Sequence, residues 1–451
     1  MMNNKYYVEH ARFGKKIYRK IRPGTDEMLN CEDKEPIVQI RNMDVTYGYG
    51  AKTFYALKDL NLNIYQGEVL GLVGESGSGK TTAGKAIIGL TPHSFGQIKI
   101  IDTIIPKNRE KINKWTKKGR EIINFMVNKV QMIFQDPTNS LNPFKNVETV
   151  VGEGLTNIKN SKYIYLTNID IETYLELNKK LEMINPNLVL SKNPWDSLRE
   201  NWDTEQTLYN FVYEVEGNNL LKLKDKIRKE KFDEINSFII ERRKFRDQEQ
   251  NLNEKQCKRK LIIDILHQVG LDETVLNRYP LEFSGGQQQR LGICRAVVLQ
   301  PQILIADEPI SALDVSIQAQ VINIFKELKE KYNLTIIFIA HDLRMVEYIS
   351  DRIAVINKGT LLEVGPTKSV IHNPHHPYTQ SLLDAVPSIE AEKGSLVGKV
   401  YSTTVHDYDE NNQPKWHQVA DKHFVLATDE EVIEFVENAK KYKSKFTETR
   451  N

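Results

Sequence analysis

The chain has 451 residues, with 62 Lys and Arg against 60 Asp and Glu, and three cysteines, Cys31, Cys257 and Cys294, far apart in the sequence. Near-balanced charge advertises no nucleic-acid partner, the cysteine spacing argues for reduced intracellular thiols over a disulfide framework or metal knuckle, and the length suffices for more than one domain. The longest apolar runs, such as LTIIFIA at 334–340, are of strand length and no apolar leader opens the chain, so a cytosolic protein is expected that meets a membrane, if at all, from outside the bilayer.

Residues 1–36 read as a basic extension. In ARFGKKIYRKIRPG, Arg12, Lys15, Lys16, Arg19, Lys20 and Arg22 accompany Phe13, Ile17 and Ile21, which are spaced to share one helix face. A solvated tail is the expectation, and an anionic membrane surface the alternative. From residue 37 apolar runs alternate with helical patterns, as in an α/β domain with a largely parallel sheet. IVQIRNMDVTY and LKDLNLNIYQGE alternate like antiparallel strands.

The strand VLGLV then enters GESGSGKT and the helix KTTAGKAIIGL leaves it, the context that G-x-x-x-x-G-K-[ST] requires. Glycines let successive N–H groups of Gly74, Glu75, Ser76, Gly77, Ser78 and Gly79 point at a phosphate, and the helix N-terminus, with Lys80, Thr81 and Thr82, adds donors and partial positive charge. Lys80 is placed to reach the β- and γ-phosphates and the Thr81 hydroxyl to sit on Mg²⁺. Later, LEFSGGQQQRLGICRA offers a second helix N-terminus after Ser284, Gly285 and Gly286, with Gln287 in its first turn. ILIADEP follows, where a buried strand ends in Asp307, a carboxylate for the Mg²⁺ shell, and Glu308, a base for a water attacking the γ-phosphate. The helix SIQAQVINIFKELKEKY, the strand LTIIFIA and a hairpin RIAVINKGTLLEVG with a Lys358-Gly359 turn complete the pattern. Near the end, HFVLATDEEVIEFVENAKKYK reads as a strand and a helix, with Thr428 and Glu431 at capping-box spacing.

SGGQ-x-Q-R shortly before ILIADEP, downstream of a phosphate loop, resembles the nucleotide-binding subunits of ABC transporters over most of residues 37–387. IFQDPTNSLNP, NRYPLEFSGGQ and NPHHPYTQSLLDAVP make it similar to the oligopeptide/dipeptide importer branch of that family, OppF type. The resemblance implies a P-loop ATPase core with an antiparallel β subdomain and a helical signature subdomain. It also implies head-to-tail pairing, with Ser284 and Gly286 on the γ-phosphate held by a partner's loop. By the same resemblance, Tyr47 stacks on adenine, Gln135 senses Mg²⁺ and water, Ser311 to Asp314 cross the dimer interface, and His341 meets the γ-phosphate. Taken alone, Tyr47 could be a strand-edge aromatic, Gln135 a loop residue, and His341 or Asp314 a helix cap. His376-Pro377-Tyr378-Thr379 is expected to tether the chain after the core, as structure rather than chemistry.

What the family implies in addition is an OppD-like second ATPase in a heterodimer, two integral membrane permease subunits, an extracellular peptide-binding protein reached indirectly, and a place on the cytoplasmic face of the membrane. Some relatives carry a C-terminal cysteine cluster for an iron–sulfur centre; no cysteine follows Cys294, so none is expected here. An inserted helical lobe is expected at about 157–252, including a charged helix with Leu220, Leu223, Ile227, Ile235 and Phe238 in loose helical spacing. Residues 388–451 form a C-terminal appendage. The alternative, an ABC-type ATPase of DNA repair, chromosome organisation or translation, would need sustained heptads or a second core in the chain, and this chain has one phosphate loop and one signature.

Overall fold

The computed structural model describes residues 5–10, 15–136, 140–156, 160–191, 193–200, 204–215, 227–311, 313–385, 401–402, 406, 408–409 and 412–448. The chain divides into two compact units, residues 1–140 with 300–451, and residues 141–299.

In the first unit β1 (Tyr6–His10) and β2 (Lys16–Lys20) form an antiparallel hairpin with Val8 opposite Tyr18. This corrects the expected solvated tail and shared helix face of Ile17 and Ile21; Arg12 and Phe13 lie outside the described residues. Aromatic and β-branched residues favour the strand. Pairing also carries Arg19 to the buried carboxylate of Asp44, while Arg22 meets Asp59 at 3.0 Å, so two desolvated acids gain counter-charges.

Next come β3 (Pro36–Tyr47), β4 (Phe54–Tyr65), β5 (Val69–Val73), β6 (Phe95–Ile100) and β7 (Thr103–Ile105). All but β5 make a four-stranded antiparallel sheet in the order β4-β3-β6-β7, as the alternation of the first two strands predicts. Strand β5 instead lies at the heart of a second sheet with β8 (Val130–Ile133), β9 (Ile303–Asp307), β10 (Thr335–Ala340) and β11 (Arg352–Asn357). These five run parallel in the order β8-β9-β10-β5-β11. Every residue of β5, β9, β10 and β11 is buried, which is why their sequences are continuous apolar runs. Parallel strands deliver their carboxyl ends to one edge, where open α/β sheets bind ligands. At that edge lie the phosphate loop after β5, Glu308 after β9 and His341 after β10.

Beyond β11 the sheet turns antiparallel. Lys358 (φ 44°) and Gly359 (φ 78°) make the tight turn into β12 (Thr360–Pro366). β13 (Lys415–Ala420) and β14 (His423–Ala427) then extend the sheet, because β14 pairs with β12. The expected terminal strand is β14, and β13 is an additional one. The expected helix is Asp429–Glu448, its Thr428–Glu431 capping box closed by bonds of 2.8 and 3.2 Å.

The second unit holds a core of its own. Tyr174, Leu177 and Leu181 of the Ser161–Ile184 helix pack with Leu198, Leu208 and Val212, and with Ile235 and Ile239 of the Lys229–Glu249 helix. Ile227 and Ile235 are buried there and Phe238 packs against them, while Leu220 and Leu223 lie outside the described residues. Arg246, buried, joins the pieces by donating to Asp170 at 3.0 Å and Glu205 at 2.8 Å. Among the described residues no helix is long and apolar enough to cross a membrane, and the three cysteines are free thiols.

Candidate functional site

The loop after β5 is shaped by glycine where nothing else fits. Gly79 (φ 107°) caps the Lys80–Ile87 helix, and a Cβ there would lie 2.5 Å from the Ala56 carbonyl oxygen. Gly77 (φ 78°) faces open space, so its demand is conformational rather than steric. Lys80 is 4% exposed and its Nζ donates to the carbonyls of Gly74 and Glu75, each at 2.8 Å, which lays the ammonium along the loop. Burial pushes its pKa down, against the pull of the Glu308 and Asp307 charges. The loop is braced from outside: the Gly359 N–H donates to the Ser78 carbonyl at 2.8 Å, and the Glu75 N–H donates to the Tyr378 hydroxyl oxygen at 2.8 Å. Glu75 and Ser76 are exposed, Ser78 is buried and Thr82 half-buried.

Asp307 ends β9 with its carboxylate buried, and the Thr81 hydroxyl donates to its Oδ1 at 2.7 Å. Burial pushes the Asp307 carboxyl up, opposed by that hydrogen bond and by Lys85 and Lys80. Glu308 adopts a left-handed backbone (φ 45°), uncommon for a residue with a Cβ, while its N–H donates to Ile339 O at 3.0 Å. Two side chains meet its Oε2: Gln135 Nε2 donates at 3.0 Å, and His341 Nδ1 lies at 3.5 Å.

The Ser311 hydroxyl donates to the Glu308 carbonyl at 3.1 Å. Asp314 is exposed at the start of the Val315–Tyr332 helix and its side chain makes no capping bond; Gln318 holds that turn instead, donating to Ile310 O and Leu313 O. Tyr47, the last residue of β3, is 48% exposed opposite Phe54. Gln135, by a hydrogen bond, and His341, by a 3.5 Å approach, therefore gather around Glu308, and a hydrogen bond joins Thr81 to Asp307. Among the described residues no hydrogen bond ties the side chains of Tyr47 or Asp314 to either.

In the second unit Ser284 caps the Gly285–Val297 helix: its hydroxyl oxygen accepts from Gln287 N at 3.4 Å, and Gln287 Oε1 accepts from Ser284 N at 3.1 Å. Ser284 and Gly285 are exposed, Gly286 and Gln287 half-buried. A Cβ on Gly285 would meet nothing within 4 Å, so packing in this chain does not require glycine there.

Sequence reasoning missed the Tyr378 hydroxyl as a brace of the phosphate loop. The two residues lie 303 positions apart, and no local pattern connects them.

A family model described as ABC transporter matches residues 57–311, and one described as the C-terminal region of oligopeptide/dipeptide transporters matches residues 362–410. The oligopeptide transport ATP-binding protein AmiF of Streptococcus pneumoniae serotype 4 is 37% identical over 405 residues, covering 89% of this chain and 98% of that protein. OppF of Streptococcus pyogenes serotype M1 matches with the same identity and coverage, and OppF of Bacillus subtilis strain 168 is 34% identical over 402 residues, 89% of this chain and 99% of its own. A solved dimeric ATP-binding cassette bound to ADP and phosphate aligns with a TM-score of 0.46 at 21% identity, over 73% of this chain and 98% of that one.

Proposed function

The chain belongs to the ABC transporter family and, within it, to the ATP-binding subunits of oligopeptide and dipeptide transporters, and from that premise we propose that it binds and hydrolyses ATP to power oligopeptide import, with Glu308 as the catalytic base. The observation that carries the assignment is the meeting of Gln135 and His341 on one oxygen of Glu308.

The amides of Gly74 through Gly79 cradle the phosphates, with Thr82 in the first helical turn, and Lys80 neutralises the β- and γ-oxygens. Tyr47 stacks on adenine. Thr81 and Asp307, joined at 2.7 Å with the carboxyl pushed up by burial, present an oxygen pair that fits Mg²⁺. Mg²⁺ held there by Thr81 and Asp307 would supply positive charge to offset the negative charge of the phosphates. Gln135 and His341 engage Oε2 of Glu308, so Oε1 takes the proton of the water. The bond from that water's oxygen to Pγ forms as the bond from Pγ to the β-bridging oxygen breaks, giving ADP and phosphate.

In a head-to-tail pair that Ser311 to Asp314 help to seal, Ser284, Gly285, Gly286 and Gln287 of this chain meet the γ-phosphate held by the phosphate loop of a second ATPase. The open space around Gly285 suits such an approach. The pair is a heterodimer with an OppD-like subunit. It works on the cytoplasmic face of the membrane against two integral permease subunits, and an extracellular peptide-binding protein feeds them. Residues 37–387 form the ATPase domain, with the lobe at about 157–252 inserted in it.

Glu308→Gln tests the assignment. It removes the basic carboxylate but keeps size and hydrogen bonding, so single-turnover hydrolysis at the mutated site should fall by roughly 10² to 10⁴ with nucleotide occupancy unchanged. Parent-like hydrolysis there would hand the role of base to another group.

A further inference from the structure

Away from the phosphate loop, three side chains from distant parts of the first unit converge in its interior. Glu363 of β12, His375 before the Pro377–Asp384 helix and His423 at the start of β14 are each at most 2% exposed, and one ligand atom from each lies within 4.8 Å of the others. Glu363 Oε1 accepts from the His375 backbone N–H at 2.8 Å and lies 2.8 Å from His423 Nε2; Oε2 accepts from the His376 N–H at 3.1 Å. His375 Nδ1 stands 3.9 Å from Oε1 and has no hydrogen-bond partner among the described residues. The two imidazoles meet edge to face, with centroids 4.9 Å apart. Room for the His423 ring is kept by Gly365, where a Cβ would come within 2.9 Å of it.

A desolvated imidazole nitrogen aimed at a buried carboxylate and bonded to nothing is costly unless something sits between them. The ion-pair partners of Glu363 among the described residues are these same two histidines. His375 Nδ1, with no hydrogen-bond partner among the described residues, can offer a lone pair to a cation. His423 Nδ1 lies 2.7 Å from the Ser369 hydroxyl, the outer contact by which a metal-bound imidazole is commonly fixed in tautomer and orientation.

We propose that Glu363, His375 and His423 form a structural site for a first-row divalent cation, with zinc as the matching member. Two imidazole nitrogens and a carboxylate without thiolate suit zinc, cobalt or nickel; calcium and magnesium prefer all-oxygen shells. A tetrahedral ion with bonds of about 2.1 Å needs ligand atoms about 3.4 Å apart. The 2.8 Å pair must therefore open, and the 3.9 Å pair close, by about half an ångström each. The fourth position falls to water or to the second carboxylate oxygen. The cation would pin β12, the turn before the Pro377–Asp384 helix and β14 to one point, and it stands independently of the ATPase assignment.

The test uses the full chain, nucleotide-free and stripped by chelator, titrated with Zn²⁺ and with Co²⁺ as a spectroscopic probe. The parent should take up a stoichiometric zinc, melt at a higher temperature with it, and give visible Co²⁺ ligand-field bands. His375→Gln leaves the Glu363–His423 contact in place, so it should fold yet lose the bands and the thermal shift. Ser369→Ala should weaken binding roughly 10- to 100-fold. His372→Gln, on a half-exposed ring, is the control and should bind as the parent does. No zinc uptake by the parent, or uptake undiminished in His375→Gln, would show a hydrogen-bonded cluster only and overturn the proposal.

Discussion

Glu308 with His341 and Glu363 with His423 are two carboxylate–imidazole pairs in one unit, and their surroundings set them apart. The first pair is loose and wet: 3.5 Å between the groups, with the His341 side chain 57% exposed and the carboxylate held otherwise by Gln135. The second is tight and dry, 2.8 Å apart and fully buried, with two backbone N–H groups already on the carboxylate. There burial, which would raise the Glu363 carboxyl, is outweighed by hydrogen bonds from His423, Thr379 and the His375 N–H, which hold it below its ordinary range. The same two functional groups thus make a partly open pair in one place and a sealed one in the other. Access and saturation of the lone pairs decide which.

That contrast can be tested by treating both acids alike. Glu308→Gln should cost the roughly 10² to 10⁴ in turnover given above and leave the unfolding midpoint nearly unchanged, because Gln keeps the size and the hydrogen bonding of this partly buried acid. Glu363→Gln should do the reverse. Breaking a buried charge cluster costs about 3 to 5 kcal/mol, read by chemical denaturation with hydrogen exchange followed in β12 and β14. Equal stability loss in both variants would erase the distinction.

Two smaller effects sharpen it. Tyr47→Ala, on the open side, should weaken ATP binding by about 1 to 3 kcal/mol, by analogy with base stacking on aromatics, without shifting the melting temperature; Phe should restore it. The smallest change expected is in Tyr378→Phe, which deletes the acceptor of the Glu75 N–H. A lost hydrogen bond of about 1 kcal/mol should raise the KM for ATP a few-fold with kcat little altered. An unchanged KM would mean that the C-terminal region touches the phosphate loop without shaping it.

What could be read in the sequence was what chemistry writes into adjacent residues. The loop glycines, the apolar strand before Asp307, the Lys358-Gly359 turn and the Thr428–Glu431 cap each depend on neighbours within a few positions, so spacing reveals them. The Glu363, His375 and His423 cluster and the Tyr378 brace depend on strands and helices meeting across most of the chain, and no window of sequence holds both partners. The N-terminal hairpin failed differently. Ile17 and Ile21 have the four-residue spacing of a helix face, but the carboxylates of Asp44 and Asp59, which draw Arg19 and Arg22 into place, lie elsewhere in the chain. Burial was equally silent: neither Leu-Glu-Val around Glu363 nor Asp-Glu-Pro around Glu308 tells which acid ends up sealed.

The pairing of β14 with β12, with Glu363 opposite Val425 and Val364 opposite Phe424, also bears on how this protein stays dispersed in a crowded cell. An unpaired strand margin is a template for another chain, and most dangerous when it is apolar. Without the last two strands, β12 would be that margin, with Leu361 and Val364, now buried, beside a row of unmet N–H and C=O groups. With both strands present the margin among the described residues falls instead to β13, where Lys415 meets Asp429 and Gln418 is exposed. A protein cut after residue 385 is therefore expected to self-associate into insoluble aggregates.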